Sequence, residues 1–168
     1  MQIRRLVATD ARRYWETRNR GLRECPDAFT SSYEEGIAIP PETLAKRFGG
    51  AGLDDFVLGA FAANGNLAGH AGFQRELRMK SRHKGTLIGM YTIPEFRGQR
   101  VGHQLLGCLV AEVRGIEGLE QLNLTVTHSN EAARSLYLRA GFVSFGIEKN
   151  ALKSGGGYYD KEHMVLTL

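Results

Sequence analysis

Met90-Tyr91-Thr92-Ile93-Pro94-Glu95-Phe96-Arg97-Gly98-Gln99-Arg100-Val101-Gly102-His103-Gln104-Leu105-Leu106 is the stretch on which the fold turns. Thr86 to Ile93 is apolar and β-branched enough to read as a strand, and Pro94 ends it. Beyond Gly98, apolar residues recur at Val101, Leu105, Leu106, Leu109, Val110 and Val113, the spacing of one helical face. The segment is therefore a strand, a tight basic turn and an amphipathic helix with glycines at its start. The first amides of a helix have no partner within it, and the helix dipole is positive there. Gly98 and Gly102 leave room for an anion to approach that backbone, and Arg97 and Arg100 supply charge, so a diphosphate would fit. A plain strand-to-helix connection with solvated arginines explains the same residues about equally well, because a glycine-rich turn alone is a weak signal.

Outward from this centre, the rest of the chain alternates in the same way. Ile3 to Val7 reads as a strand, and Thr9 or Asp10 can cap a helix that runs to about Glu24. A loop from Cys25 to Glu35 follows. Pro40-Pro41-Glu42 opens a helix through Phe48, since proline suits a first turn. Phe56 to Ala62 and Leu67 to about Leu77 are strands around the hairpin signal Asn64-Gly65. Leu122 to Thr127 is a strand and Asn130 to Ala140 a helix, stopped at Gly141, where left-handed backbone is common. Phe142 to Glu148 and Tyr158 to Leu166 are the last strands, joined across Ser154 to Gly157. The expected fold class is α/β, an α+β mixture: a mixed, mostly antiparallel sheet of about seven strands flanked by about four helices on both faces.

The 168 residues have the size of one domain, so residues 1–168 are expected to fold as a single unit. The absence of a long apolar run argues against a membrane span, and the N-terminus lacks the pattern of a secretory signal, so a cytoplasmic location is expected. Cys25 and Cys108 form no CxxC pair and no metal set; both read as reduced thiols, with Cys108 as a small core residue of its helix. No metal is expected. A net charge of +4 allows an anionic partner. The basic residues are scattered from Arg4 to Lys161 and interleaved with acids, and no nucleic-acid-binding signature occurs, which argues against a nucleic acid; a small multiply charged anion such as a nucleotide cofactor accounts for the excess equally well.

The second informative segment is Asn130-Glu131-Ala132-Ala133-Arg134-Ser135-Leu136-Tyr137-Leu138-Arg139-Ala140-Gly141-Phe142. Asn130 is a good helix cap on propensity alone. Tyr137 shares a helical face with Ala133 and Ala140, which suits a core aromatic.

Together the two segments resemble the GNAT superfamily of N-acetyltransferases. Arg97-Gly98-Gln99-Arg100-Val101-Gly102 is similar to its acetyl-CoA motif, R/Q-x-x-G-x-G/A, with Arg100 where the pattern has glycine. Asn130, Ala133, Leu136, Tyr137, Gly141 and Phe142 match N-x-x-A-x-x-L-Y-x-x-x-G-F. The resemblance implies an acetyl-CoA-dependent acyltransferase acting on a primary amine of a small molecule, amino acid or protein by direct attack in a ternary complex, with a homodimer as one assembly. A catalytically silent acyl-CoA sensor on the same fold is the alternative. By the same resemblance Tyr91 and Thr92 pair with the pantetheine, the run Arg97, Gly98, Gln99, Arg100, Val101, Gly102 and His103 holds the diphosphate, Asn130 holds the cofactor arm, and Tyr137 places its hydroxyl near the thioester sulfur. Arg100 is expected in right-handed backbone, which its Cβ tolerates. Phe29, Tyr33 and Glu34, in the loop before the second helix, are candidates for the acceptor pocket. Glu34, Glu35, His83 and Glu148 are the candidate bases.

Overall fold

The computed structural model describes residues 1–49 and 52–168. Its elements, in chain order, are β1 (Gln2–Arg5), α1 (Ala11–Glu24), α2 (Tyr33–Ala38), α3 (Pro41–Phe48), β2 (Asp55–Phe61), β3 (Leu67–Arg75), β4 (Lys84–Thr92), α4 (Val101–Arg114), β5 (Gln121–Thr127), α5 (Glu131–Arg139), β6 (Val143–Ser154) and β7 (Gly157–Thr167). The strands form one sheet in the order β1-β2-β3-β4-β5-β7-β6, antiparallel throughout except between β4 and β5. The expected mixed, mostly antiparallel sheet is thus observed.

Side-chain alternation along β2 shows why helices cover both faces. Phe56, Leu58 and Ala60 join a large core with Leu105, Leu106 and Leu109 of α4. Val57 and Phe61 point the other way, into a smaller core with Tyr14 of α1 and Phe48 at the end of α3. Successive residues of a strand face opposite sides, so an apolar run of this kind needs a layer on each. Among the described residues no helix is long and apolar enough to cross a membrane.

Four local expectations need correction. A fifth helix, α2, stands at the end of the expected loop. Ser32 Oγ accepts from the Glu35 amide and the Glu35 carboxylate accepts from the Ser32 amide, a reciprocal cap that starts a helix too short to show apolar periodicity. Asp10 precedes α1 without capping it, because its carboxylate is held by Arg4 and the Val7 amide. Cys108 is exposed: the stripe of α4 is Val101, Leu105, Leu106, Leu109 and Val113, and the 3.6-residue turn carries position 108 outside it. Finally, β6 continues past Glu148 to Ser154. Asn150 takes a left-handed φ of 54°, and a register shift between Glu148 and Leu152 absorbs it. Asp160 stabilises this bulge, accepting from Lys149 Nζ at 2.7 Å and from the Asn150 amide at 3.0 Å.

The sheet opens at its centre. β4 and β5 pair only from Lys84 to Thr86 against Gln121 to Asn123, although both strands run on well beyond. On the other edge of β4 the register against β3 shifts between His70 and Gly72, whose partners are Tyr91 and Ile88. Gly89, with φ of 55°, supplies the positive torsion such a bulge requires. The bulge turns β4 away from β5, and a wedge-shaped gap follows.

Candidate active site

Two cavities occupy this gap. The larger, about 750 Å³, runs from the end of β4 along the start of α4 to α5, past Tyr91, Thr92, Arg97, Gly102, Asn130 and Tyr137. The second, about 350 Å³, lies between the diverging strands and α1, past Thr86 to Met90, Thr125 and Val126. Ala28, Phe29, Met90, Asn130, Ala133 and Tyr137 line both, so the two cavities meet at Met90 and Tyr137.

The turn that leads into α4 is held in two left-handed residues, Gly98 (φ 75°) and Arg100 (φ 60°, ψ 17°). Arg100 is therefore left-handed, which corrects the expectation of right-handed backbone at this residue. It is the residue before the helix, and its carbonyl accepts the first helical bond, from the Gln104 amide. A non-glycine residue there carries about 1 kcal/mol or more of strain. Among the described residues no side chain caps α4 at this position. Val101, Gly102 and His103, whose amides belong to the first turn, border the larger cavity, as a site for a diphosphate requires. A Cβ built on Gly102 would come to 3.5 Å from Leu136 Cδ2 and from Met90 Cε, ordinary contact. Crowding within the protein therefore does not require glycine here, and the residue lies on the cavity wall.

The turn is anchored from behind. Glu24 accepts from Tyr91 Oη at 2.7 Å and from Arg20 Nε at 2.7 Å, and Arg20 also reaches Glu95 at 2.9 Å. Arg97 donates to the Thr92 carbonyl at 3.2 Å and lies over the Tyr91 ring at 5.9 Å. Gln99 donates to the Glu95 carbonyl at 3.1 Å and does not line the cavity.

On α5, Asn130 Oδ1 accepts from the Ala133 amide at 3.2 Å, the capping bond its propensity indicates, which leaves its NH₂ group available. Tyr137 is buried against Phe142, and its hydroxyl donates to Met90 Sδ at 3.7 Å. Burial pushes this phenol up to about 12, so it is a proton holder and hydrogen-bond donor at neutral pH.

Of the acceptor-side candidates, Phe29 lines both cavities, whereas Tyr33 and Glu34 lie in the first turn of α2 and border neither. Glu35 is engaged in the cap of α2, Glu148 pairs with His163 at 3.1 Å, and His83 borders neither cavity. Among the described residues neither cavity has an Asp or Glu in its lining. Met90, Arg18 and Lys161 are wall residues that sequence reading did not single out. Among the described residues no three His, Cys, Asp or Glu side chains cluster as a metal site would need.

A cleft with a helix start along one wall and a protonated tyrosine at its junction is the build of an acyltransferase that takes its donor as a nucleotide thioester. Residues 22–142 match the Acetyltransferase (GNAT) family. The chain belongs to that family. Among solved structures it is similar to an acetyltransferase of the GNAT family from Streptococcus pneumoniae, with 25% identity and a TM-score of 0.89 over 99% of each chain. A phosphinothricin acetyltransferase from Sinorhizobium meliloti, solved in complex with AcCoA, shares the fold at 23% identity and a TM-score of 0.85, over 99% of this chain and 88% of that one. So does a ribosomal-protein-alanine N-acetyltransferase from Brucella melitensis, at 20% identity and 0.83 over the whole of both chains.

Proposed function

We propose that this chain transfers the acetyl group of acetyl-CoA to a primary amine by direct attack within a ternary complex. The observation that carries the reading is the junction of the two cavities at Tyr137 and Met90: one cavity suits a long phosphorylated donor, the other a small acceptor, and they touch at a single donor hydroxyl.

The amides of Val101, Gly102 and His103 hold the diphosphate, with Arg97 and Arg100 beside them. The backbone of Tyr91 and Thr92 receives the pantetheine arm in the gap that β5 leaves open, and Asn130 holds that arm from the opposite side. A backbone amide at this end of β4 faces the carbonyl oxygen as it becomes anionic, a contact worth about 3 kcal/mol of barrier. The amine nitrogen bonds to the carbonyl carbon, the carbon–sulfur bond breaks, the electron pair leaves on sulfur, and the proton lost by nitrogen passes to solvent. Tyr137 donates a hydrogen bond to the departing sulfur. With the phenol at about 12 and a thiol near 8.5, full proton transfer from Tyr137 would be uphill by about 5 kcal/mol, so the hydroxyl keeps its proton. With no carboxylate among the described lining residues of either cavity, the acceptor ammonium loses its proton by desolvation.

The test is release of CoA thiol from acetyl-CoA with a panel of primary amines. Amine-dependent thiol release with N-acetylated product supports the proposal; tight acetyl-CoA binding without acceptor turnover would instead make the chain an acyl-CoA sensor.

A further inference from the structure

The second cavity has a cationic wall with no carboxylate among its described lining residues. Three of its wall residues, Arg18, Arg47 and Lys161, carry positive charge, and none carries negative charge. Arg47 is matched by Asp55, which accepts from Nε at 3.0 Å. Among the described residues Arg18 and Lys161 take part in no ion pair. Lys161 is only 6% exposed, in the middle of β7. Glu148, opposite it in the β6 register, is engaged with His163.

Two adjacent hydroxyls tie these cations to one wall. Lys161 Nζ donates to Thr30 Oγ1 at 3.3 Å, and Arg18 Nη2 donates to Ser31 Oγ at 3.3 Å. One charge comes from α1 and the other from β7, on opposite sides of the sheet opening, and the loop before α2 brings them to the same cavity. A buried ammonium with no direct ion-pair partner is costly, and burial lowers the pKa of Lys161 against the opposing, weaker effect of the Glu148 charge. Neutral hydroxyl partners do not offset that cost. An anion in the cavity would.

We infer that the acceptor is a small amine that also carries an oxyanion, with the carboxylate of a free amino acid as the committed case, held by Arg18 and Lys161 while its amino group points to the junction at Tyr137. This rests on the transferase reading above and specifies its substrate. The cavity of about 350 Å³ has room for an amino acid of medium size. Arg18 offers the planar fork that matches a carboxylate, and Lys161 a point charge beside it.

The experiment compares kcat/KM for matched acceptors, each of several L-amino acids against its own carboxamide, together with the fully cationic amines cadaverine and spermidine. The free acids are expected to exceed their carboxamides by at least tenfold, with the polyamines below both. Arg18→Gln and Lys161→Met should each reduce the acid-over-amide ratio at least fivefold, mainly through KM for the acceptor, and Arg18→Lys should retain part of it. Calorimetric titration with acetyl-CoA, unchanged in each variant, shows that the fold survives. Carboxamides or polyamines equal to or better than the acids would overturn the inference and leave acetyl transfer intact. So would equal losses on acid and amide in Lys161→Met, which would make that lysine a base rather than an anion site. Acetyl-CoA binding with no thiol release for any amine would instead remove the transferase reading, and the inference with it.

Discussion

The hydroxyl of Tyr137 lies 3.7 Å from the sulfur of Met90, one side chain reaching from α5 and the other from the bulged end of β4, across the gap where the sheet opens. Packing alone would account for a buried tyrosine, but not for its place at the junction of two cavities. Tyr137→Phe should lower kcat by more than tenfold and leave acetyl-CoA affinity within about twofold, since only a bond formed as charge develops on sulfur is lost. Steady-state rates and calorimetry check both halves. Wild-type turnover in the variant would remove Tyr137 from the chemistry.

The pH dependence of that step follows from the same burial. Because the phenol is pushed up to about 12, Tyr137 remains protonated through the working range. The kcat profile should rise with pH as the acceptor amine loses its proton, and show no descending limb below about pH 10. A descending limb between pH 7 and 9 that vanishes in Tyr137→Phe would contradict the assignment.

Gly102 separates binding from stability. Gly102→Glu places a carboxylate at the positive end of α4, which favours the helix by a few tenths of a kcal/mol, while repelling a diphosphate at the same amides. Its Cβ meets only ordinary contacts. The expected result is an unchanged or slightly raised melting temperature with acetyl-CoA affinity reduced at least tenfold. Unchanged affinity would move the diphosphate elsewhere.

Arg100 gives the opposite pairing. Its left-handed backbone costs a non-glycine residue about 1 kcal/mol, so Arg100→Gly should raise stability by about that amount and the melting midpoint by about 2–4 °C. A β-branched residue there, as in Arg100→Val, should lower it. Thermal melts of the two variants decide the matter; destabilisation by glycine would mean that the arginine side chain outweighs its own strain.

Much of this arrangement was legible in the residues. The helical period from Val101 to Val113, the Asn64-Gly65 hairpin, the proline start of α3 and the Asn130 cap each follow from local chemistry, and each stands where expected. What escaped reading depends on partners distant in the chain. Arg100 alone gives no sign of left-handed torsion; the turn imposes it. Asp160-Lys161-Glu162-His163 looks like a solvated strand, yet Lys161 and Glu162 are buried, Glu162 because Arg134 of α5 meets it at 2.7 Å. Only the folded chain brings Arg18 and Lys161 to one cavity.

Acid stability should reflect two buried groups. Burial pushes His70 down to about 4, so the stability it lends is complete above pH 6.5 and is lost as pH falls toward 4, where the unfolded chain binds the proton first. Asp10, held by Arg4 at 2.6 Å, is kept below the usual carboxylate range, and its contribution is lost on further acidification. Asp10→Ala should cost about 2 kcal/mol at pH 7 and less at pH 3, below the ordinary aspartate value, where the unfolded chain already binds the proton. Urea unfolding at the two pH values measures the difference, and an equal cost at both would contradict the ionic origin.

The most direct measurement is a crystal structure with acetyl-CoA bound. The diphosphate is expected within hydrogen-bonding distance of the amides of Val101, Gly102 and His103, and the thioester sulfur beside the Tyr137 hydroxyl. A donor bound with its diphosphate away from the start of α4, or with its thioester outside the junction of the two cavities, would contradict this placement.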